Sequence, residues 1–346
     1  MLTVAGRKTT YALLAALLFS ISNAGCGSGQ RAASIPPSTG TITVVDMAGR
    51  EVKIPEKVES VAFIYSVIGY ILAIGKADTL SAVPAVSDFF RTAHPVFETV
   101  GTVGRGQVDM EALAQLKPDL FIHRSSDIRT LNAVAELGIP SIGISIETRE
   151  DVTAMLTLFG KALGAEDRAN ELIAYYDMMH DKARELSRDM PAEKRKTAVF
   201  LGSRIGSVAN GAMLQSFMIE AAGGINCAKD VLSVEIWPVV GTETIFGWNP
   251  DFIFITNYGS PRYNVETLMN DPAWANMTAV KESQVYLVPT EKDSWEFPGA
   301  SSSLGSLWMM SVMYPDKFSK GQLDAQVKEF YKKVYNIDVT PEFLGY

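Results

Sequence analysis

The sequence predicts an α/β protein built from two similar lobes. A chain of 346 residues with 47% hydrophobic and 20% charged residues is globular, and its length suits two domains better than one. Short apolar runs alternate with helical segments, which is the pattern of parallel sheets covered by helices. In addition, one stretch of the sequence occurs twice, which indicates that the same structural unit is used in each half.

The repeated stretch is EALAQLKPDLFIH at residues 111–123, which matches ETIFGWNPDFIFI at residues 243–255. Glu111 aligns with Glu243, and the Pro-Asp pair of the first copy aligns with that of the second, without a gap. The alternative to two lobes is an ordinary αβ repeat inside one large sheet.

Each copy is expected to form a short helix followed by a buried strand. Asp109 in the first copy and Thr242 in the second are the predicted N-caps. A proline seven residues after the glutamate ends the helix, and the apolar run that follows is typical of a strand inside a parallel sheet.

The remaining elements follow in chain order. Residues 41–55 alternate apolar and polar side chains around a turn that contains glycine, which predicts a β-hairpin. Further strands are expected at 60–65, 80–83, 120–123 and 141–145 in the first half, and at 197–201, 252–256 and 285–288 in the second.

A long helix is predicted between the halves. Residues 166–188 contain no glycine or proline, and their apolar positions follow helical spacing. Such a helix would be about 35 Å long and could join the two lobes as a stiff connection. The alternative is a surface helix that belongs to one lobe.

The first 26 residues have the pattern of an export signal. Arg7 and Lys8 precede an apolar stretch that is too short to span a bilayer, and small residues lead into Cys26. The site is similar to the lipobox of bacterial lipoproteins, in which the cysteine is acylated. Because Asn23 stands where such sites usually have leucine, cleavage by an ordinary signal peptidase is the alternative. Residues 27–40 are expected to be a flexible tether.

Composition and motifs argue against several functional classes. The net charge of −8 argues against nucleic acid as a partner, and three histidines with two cysteines do not suit a dedicated zinc site or a disulfide scaffold. The sequence lacks the glycine-rich phosphate loops and the G-x-S-x-G motif of the common nucleotide enzymes and hydrolases. We therefore expect a protein without catalytic residues.

From about residue 41 onward, the chain resembles the substrate-binding proteins of ABC importers for iron siderophores, haem and cobalamin. The resemblance is carried by DMAGREVKIP, VGRGQVDMEALAQLKPDLFI, AAGGIN and NDPAWANMTAVKESQVYLVP in this order. It implies two Rossmann-like lobes with mainly parallel sheets joined by a single long α-helix. The expected segments are a signal peptide with its lipobox at 1–26, a tether at 27–40, lobes at 41–162 and 191–346, and the helix between them at 163–190.

The resemblance also implies a role for the repeated glutamates. In this family, a glutamate on each lobe docks into arginine pockets of the membrane permease, which places these residues at Glu111 and Glu243. Two equivalent sites suit a symmetric permease dimer, which works with its ATPase subunits. The alternative role of each glutamate is to stabilise the first turn of its helix.

The expected ligand site lies beyond the carboxyl ends of the strands, where ligands collect in open α/β sheets. Arginines and aromatic residues at these positions suit a bulky anionic ligand, because guanidinium groups bind oxygen atoms and ring faces cover apolar parts. The candidate contacts are Tyr65, Arg105, Arg124, Arg204, Trp237, Tyr258 and Trp295.

We therefore expect an exported, lipid-anchored monomer that captures a siderophore-type ferric chelate between its lobes and delivers it to the permease. It would need no cofactor, and its ligand is a small metal complex. Molybdate or tungstate, and cobalamin or haem, are the alternative ligands of the same kind of importer. An extracellular ligand sensor without a transport role is the alternative function.

Overall fold

The structure, a computed structural model, describes residues 40–64, 67–84, 90, 94–104, 106–257, 262–289 and 293–346. These residues belong to one compact unit that contains a hairpin, two four-stranded sheets and the helices around them. No helix in these ranges is both long and apolar enough to cross a membrane.

The predicted hairpin is present. Strands β1 (Thr41–Val45) and β2 (Glu51–Pro55) pair in antiparallel fashion. The carboxylate of Asp46, just after β1, accepts hydrogen bonds from the Arg50 side chain at 2.9 Å and from the Gly143 backbone N–H at 2.8 Å. Because Gly143 belongs to the first sheet, this buried carboxylate fastens the hairpin to the first lobe.

The first sheet has the strand order β4-β3-β5-β6, and all of its strands are parallel. Its strands are β3 (Val61–Phe63), β4 (Leu80–Ala82), β5 (Leu120–Arg124) and β6 (Ser141–Ile144). Its helices are α1 (Ile68–Ala73), α2 (Met110–Leu116), α3 (Ile128–Glu136) and α4 (Arg149–Leu163), with short 3-10 helices at Ala77–Thr79 and Pro95–Glu98.

The second sheet is also parallel and has the order β10-β9-β7-β8. Its strands are β7 (Thr197–Leu201), β8 (Ile225–Asn226), β9 (Phe252–Ile255) and β10 (Val285–Leu287). The two-residue strand β8 was not predicted. After the long helix α5 (Glu166–Ser187) and a 3-10 helix at Ala192–Lys194 come α6 (Leu214–Ala221), α7 (Thr242–Trp248), α8 (Val265–Asn270), α9 (Thr278–Lys281), α10 (Ser302–Met313), α11 (Lys320–Tyr335) and α12 (Pro341–Leu344).

Both sheets are buried on both faces, which explains the continuous apolar runs in the sequence. Successive residues of a strand point to opposite faces. On β9, Phe254 packs into a central cluster shared by the two lobes, whereas Ile255 packs into a cluster on the outer face of the second sheet. On β5, Ile122 and Phe121 divide in the same way between the central cluster and the outer face of the first sheet.

Helix α5 contacts both lobes and is about 33 Å long, given its 22 residues. Gly160 of α4 allows a close approach on the first-lobe side, because a Cβ at this position would lie 2.6 Å from the Cβ of Ala169. On the second-lobe side, the Tyr176 hydroxyl lies 3.0 Å from the Ser302 hydroxyl on α10. The predicted helix and the predicted fold class of two α/β lobes are therefore confirmed.

The repeated units are α2 with β5 and α7 with β9. Asp109 caps α2 as predicted, and its carboxylate accepts a hydrogen bond from Ala112 N–H at 2.9 Å. The predicted cap at Thr242 is wrong. The N-cap of α7 is Gly241, which holds the extended backbone that this position requires, so that Thr242 is already the first helical residue.

Candidate ligand-binding cleft and docking residues

The carboxyl edge of the first sheet meets the second lobe next to Arg124. Arg124 is the last residue of β5, and its side chain is exposed. Glu147, in the loop after β6, accepts a hydrogen bond at its backbone oxygen from Leu214 N–H at the start of α6, at 3.2 Å. Burial and the charge of Asp151 raise the pKa of Glu147, and the guanidinium of Arg124 partly offsets this rise. The arginine therefore lies within electrostatic reach of the boundary between the lobes.

The carboxyl edge of the second sheet carries Arg204 in the turn that follows β7. The backbone oxygen of Arg204 accepts a hydrogen bond from Ser207 N–H at 3.1 Å, and its side chain is exposed. The segment after β9 joins this turn, because Arg262 N–H donates to the backbone oxygen of Ser203 at 3.0 Å. Two arginines from neighbouring parallel strands thus stand on adjoining segments.

Arg262 was not among the predicted site residues. Its side chain is exposed, and within the described ranges neither its guanidinium nor that of Arg204 forms an ion pair. The signal in the sequence was the same as for the other arginines, because Arg262 follows a strand of the parallel sheet. The six residues between the end of this strand and Arg262 made the link less obvious.

Trp237 lies over the carboxyl end of β7. Its ring is half-buried, and a Cβ on Gly202 would come within 2.9 Å of its Cε3 atom. Its centroid lies 6.1 Å from that of Phe200, with an angle of 44° between the planes. Trp237 therefore offers an aromatic surface beside the turn that carries Arg204.

Trp295 is placed differently from the prediction. We expected an accessible ring because its loop offers no helical face to cover it, but the side chain is 0% exposed. Its Nε1 donates a hydrogen bond to the Tyr331 hydroxyl on α11 at 3.0 Å, and its ring packs against Tyr346 with centroids 4.9 Å apart. Helix α11 and Tyr346 provide the cover that the local sequence did not reveal, so Trp295 is a core residue in this structure.

Three predicted contacts, Tyr65, Arg105 and Tyr258, lie outside the described residues, as do Cys26, the signal segment 1–26 and residues 27–39 of the tether.

The buried carboxylate of Glu296 holds the segment that leads from β9 toward Arg262. It accepts hydrogen bonds from the Thr256 hydroxyl at 2.8 Å and from Asn257 N–H at 2.7 Å. The side chain of Gln215 on α6 also donates to the backbone oxygen of Glu296 at 2.8 Å. Sequence reasoning missed this residue, because an isolated glutamate in a loop carries no signal of burial.

The histidines do not form a metal centre in the described part of the chain. His123 on β5 is buried, and its Nε2 lies 3.1 Å from the Asp127 carboxylate, whose pKa is lowered to about 2 by hydrogen bonds from Thr130 and His123. His180 is fully buried on α5, and His94 lies at the start of a 3-10 helix. No group of three or more possible metal-ligating side chains occurs among the described residues.

The repeated glutamates occupy equivalent positions. Glu111 is the second residue of α2 and Glu243 is the second residue of α7, and both side chains are exposed. A helix that connects parallel strands runs antiparallel to them, so that its first turn lies toward the carboxyl edge of the sheet. Both glutamates therefore lie at the same kind of edge as the arginines.

The chain is similar in sequence to known binding proteins. A family model described as a periplasmic binding protein matches residues 61–291, which is more than half of the chain. The molybdate-binding protein MolA of Haemophilus influenzae is 27% identical over 261 residues, which cover 68% of this chain and 72% of that protein. The Fe(3+)-citrate-binding protein YfmC of Bacillus subtilis is 24% identical over 69% of this chain and 68% of its own length.

Solved structures share the fold. A structure of MolA bound to molybdate has a TM-score of 0.75 at 19% identity and covers 86% of this chain and 99% of that one. A periplasmic solute-binding protein of Veillonella parvula has a TM-score of 0.72 at 24% identity, with 88% and 95% covered. The matched family and the two-lobed α/β fold lead to one conclusion: the chain belongs to the periplasmic binding proteins, the substrate-binding components of ABC importers.

Proposed function

We propose that this protein captures a siderophore-type ferric chelate between its two lobes and delivers it to an ABC permease dimer driven by ATPase subunits. It binds its ligand as a monomer and carries out no chemical reaction. The relatives YfmC and the iron(3+)-hydroxamate-binding protein YxeB of Bacillus subtilis are named for ferric ligands, which supports this ligand class.

The observation that carries the proposal is the pair of exposed arginines at the carboxyl edge of the second sheet. Arg204 and Arg262 make no ion pair within the described ranges, in a chain with a net charge of −8. Guanidinium groups match the paired oxygen atoms of anionic chelates. Arg124 adds a positive charge from the first lobe, and Trp237 adds an apolar ring. Tyr65, Arg105 and Tyr258 remain predicted contacts.

Molybdate is the second candidate ligand. A small oxyanion would give aromatic side chains in the cleft no role, which counts against this ligand. Because Trp295 is buried, one fewer aromatic side chain needs such a role. The relative MolA, at 27% identity, is named for molybdate. The arginines would serve a tetrahedral oxyanion as well as a chelate, so that only binding measurements separate the two.

The test is calorimetric titration of residues 41–346 with ferric catecholate, ferric hydroxamate, ferric citrate, molybdate and tungstate. We expect one ferric chelate to bind with a submicromolar Kd, and Arg204→Ala and Arg262→Ala each to weaken binding at least about tenfold. The matched control is Arg188→Ala, because this arginine is exposed at the end of α5 and pairs with Glu185. Binding of molybdate alone would transfer the assignment to an oxyanion importer.

We also propose that acylation of Cys26 anchors the protein to the cell membrane, facing the periplasm or the exterior, with residues 27–40 as the tether. The lipobox-like sequence before this cysteine supports the anchor. Metabolic labelling with a fatty-acid analogue should label the wild-type protein and not Cys26→Ser. Labelling of neither protein would indicate cleavage by an ordinary signal peptidase instead.

A further inference from the structure

An exposed row of aliphatic side chains follows the edge strand β8. Leu232, Val234 and Ile236 are 95%, 105% and 53% exposed, and Val239 is 51% exposed. Ile205, in the turn that also carries Arg204, is 37% exposed. These five residues form an aliphatic strip. Exposed apolar surface of this extent on a soluble protein commonly marks a binding site.

Most of the strip lies on an irregular loop between β8 and α7. Leu232, Val234 and Ile236 alternate with Ser233 and Glu235. The backbone bends at residues 234–237, and this bent loop carries all three aliphatic side chains at the surface. The Ser233 hydroxyl accepts a hydrogen bond from Glu235 N–H at 2.9 Å, so that the two polar residues between the aliphatic ones contact each other.

Both ends of the strip are fixed to the segment that follows β7. At the first end, the side-chain amide of Asn210 donates to the backbone oxygen of Val231 at 3.0 Å. At the second end, Val208 N–H donates to Pro238 at 2.9 Å, and Val240 N–H donates to Gly206 at 2.8 Å. The strip therefore emerges at the carboxyl edge of the second sheet, beside the turn of Arg204 and next to Trp237.

The strip also borders the junction of the lobes. Asn210, which holds its first end, stands four residues before Leu214, and Leu214 N–H donates to the backbone oxygen of Glu147 in the first lobe at 3.2 Å. Arg124 acts electrostatically on the same Glu147. Aliphatic groups and arginine charges thus flank one boundary, an arrangement that suits a ligand with both oxygen atoms and apolar groups.

We propose that the aliphatic strip forms an apolar wall of the ligand cleft and selects metal chelates that carry hydrocarbon groups over those that do not. The proposal rests on the proposed function, because it assumes a chelate in the cleft. The arginines hold the charged centre of the complex, which every ferric catecholate shares. The strip then covers the organic periphery and removes its apolar surface from water, and the gain in affinity grows with the hydrocarbon area covered.

The test compares two chelates with the same charge and donor atoms, ferric catecholate and ferric 4-tert-butylcatecholate. We expect the wild-type protein to bind the butylated complex at least about tenfold more tightly, since each added methyl or methylene group that is buried favours binding. The variant with Leu232→Ser, Val234→Ser and Ile236→Ser should lose this preference and keep its affinity for the unsubstituted complex. These side chains are exposed, so that the variant should unfold at the wild-type temperature.

The matched control is Ile225→Ser. Ile225 lies in the same lobe and is 43% exposed, but it pairs with Thr197 at the amino-terminal end of β7. This variant should keep the wild-type preference. The proposal would be overturned if the triple variant lost affinity for both complexes to the same extent. It would also be overturned if the variant kept the wild-type preference for the butylated complex while uptake fell. Failure of the wild-type protein to bind either complex would also overturn this proposal. The proposed function fails as well only if ferric hydroxamate and ferric citrate do not bind either, which distinguishes the two failures.

Discussion

Asp119 and Ser60 bind each other reciprocally where the first sheet begins. The Asp119 carboxylate accepts a hydrogen bond from Ser60 N–H at 2.9 Å, and the Ser60 hydroxyl accepts one from Asp119 N–H at 2.8 Å. Asp251 and Thr197 repeat this arrangement in the second lobe, at 2.8 and 3.0 Å. The repeated Pro-Asp pair of the sequence therefore fastens one central strand of each sheet to its neighbour.

Removal of either aspartate should destabilise the protein. Asp119→Ala leaves backbone N–H groups of Glu59 and Ser60 without their acceptor, so that we expect a loss of about 1–3 kcal/mol in the free energy of unfolding. Asp251→Ala should have a loss of the same order. Urea unfolding followed by circular dichroism measures both.

The control for these variants is Asp338→Ala, because this carboxylate is 87% exposed and pairs only with Lys332 on the surface in the described structure. It should change stability by less than about 0.5 kcal/mol. Combining Asp119→Ala with Ser60→Ala should cost less than the sum of the single variants, since each of the two hydrogen bonds holds the residues in position for the other. Strict additivity of the two losses in unfolding free energy would show that the reciprocal arrangement adds no stability beyond that of its two separate hydrogen bonds.

Local patterns in the sequence were sufficient to predict most of the fold. The strands of both sheets are short apolar runs bounded by polar residues, and α5 lacks any residue that would interrupt it. Asp109 was found as a cap because an acceptor side chain precedes a helical pattern. The error at Thr242 arose because glycine, the actual cap, has no side chain and gives no comparable signal.

The candidate site was less predictable because long-range packing decides which side chains are accessible. Trp295 is covered by Tyr331 and Tyr346, which lie 36 and 51 positions further along the chain, so that no local rule places it in the core. Arg262 reaches the edge of the sheet through a backbone contact with Ser203, on another strand connection. Positions at strand ends were predictable, whereas burial was not.

The exposed glutamates Glu111 and Glu243 should affect delivery of the ligand to the permease and should not affect ligand binding. If they dock into the permease, Glu111→Ala and Glu243→Ala should each weaken binding to permease reconstituted in lipid nanodiscs at least about tenfold, because each removes one charge from a charged pair. Ligand affinity measured by calorimetry should stay unchanged. Uptake by whole cells should fall further in the double variant than in either single variant.

Glu136→Ala provides the control for charge alone, since Glu136 is exposed at the end of α3. It removes the same charge without changing the first turn of α2 or α7. Wild-type docking in the Glu111 and Glu243 variants would contradict the docking role. The glutamates would then serve only to stabilise the first turns of their helices.

His180 should make the protein less stable as the pH falls. Its imidazole is buried between Tyr176 and Phe217, and burial, with the charges of Arg149 and Arg184, lowers its pKa from 6.5 to about 3. Between these values the unfolded chain binds a proton that the folded chain does not, so that stability is lost as pH falls below 6.5. In His180→Phe this loss should disappear, as measured by urea unfolding from pH 4 to 7. An unchanged pH dependence would show that His180 is protonated in the folded state.

Asp293 should change the pH dependence of stability in the direction opposite to His180, over an overlapping pH range. Burial raises the pKa of its carboxyl group from 3.8 to about 6, although hydrogen bonds from Ser301 and Tyr331 lower it. Between pH 3.8 and 6 the folded chain therefore holds a proton that the unfolded chain has lost, and stability falls as the pH rises. The contributions of His180 and Asp293 partly cancel in the wild-type protein.

Single variants should reveal this cancellation. Asp293→Asn removes the titrating carboxyl group and keeps a similar shape, so that its stability should rise more steeply with pH than that of the wild type between pH 4 and 6. His180→Phe should change the slope with the opposite sign, because it leaves the effect of Asp293 uncompensated. Asp316→Asn, at an exposed site where the carboxylate forms no ion pair within the described ranges, controls for the loss of one carboxylate. If both core variants shift the slope in the same direction, the two groups do not titrate in the opposed manner that their burial requires.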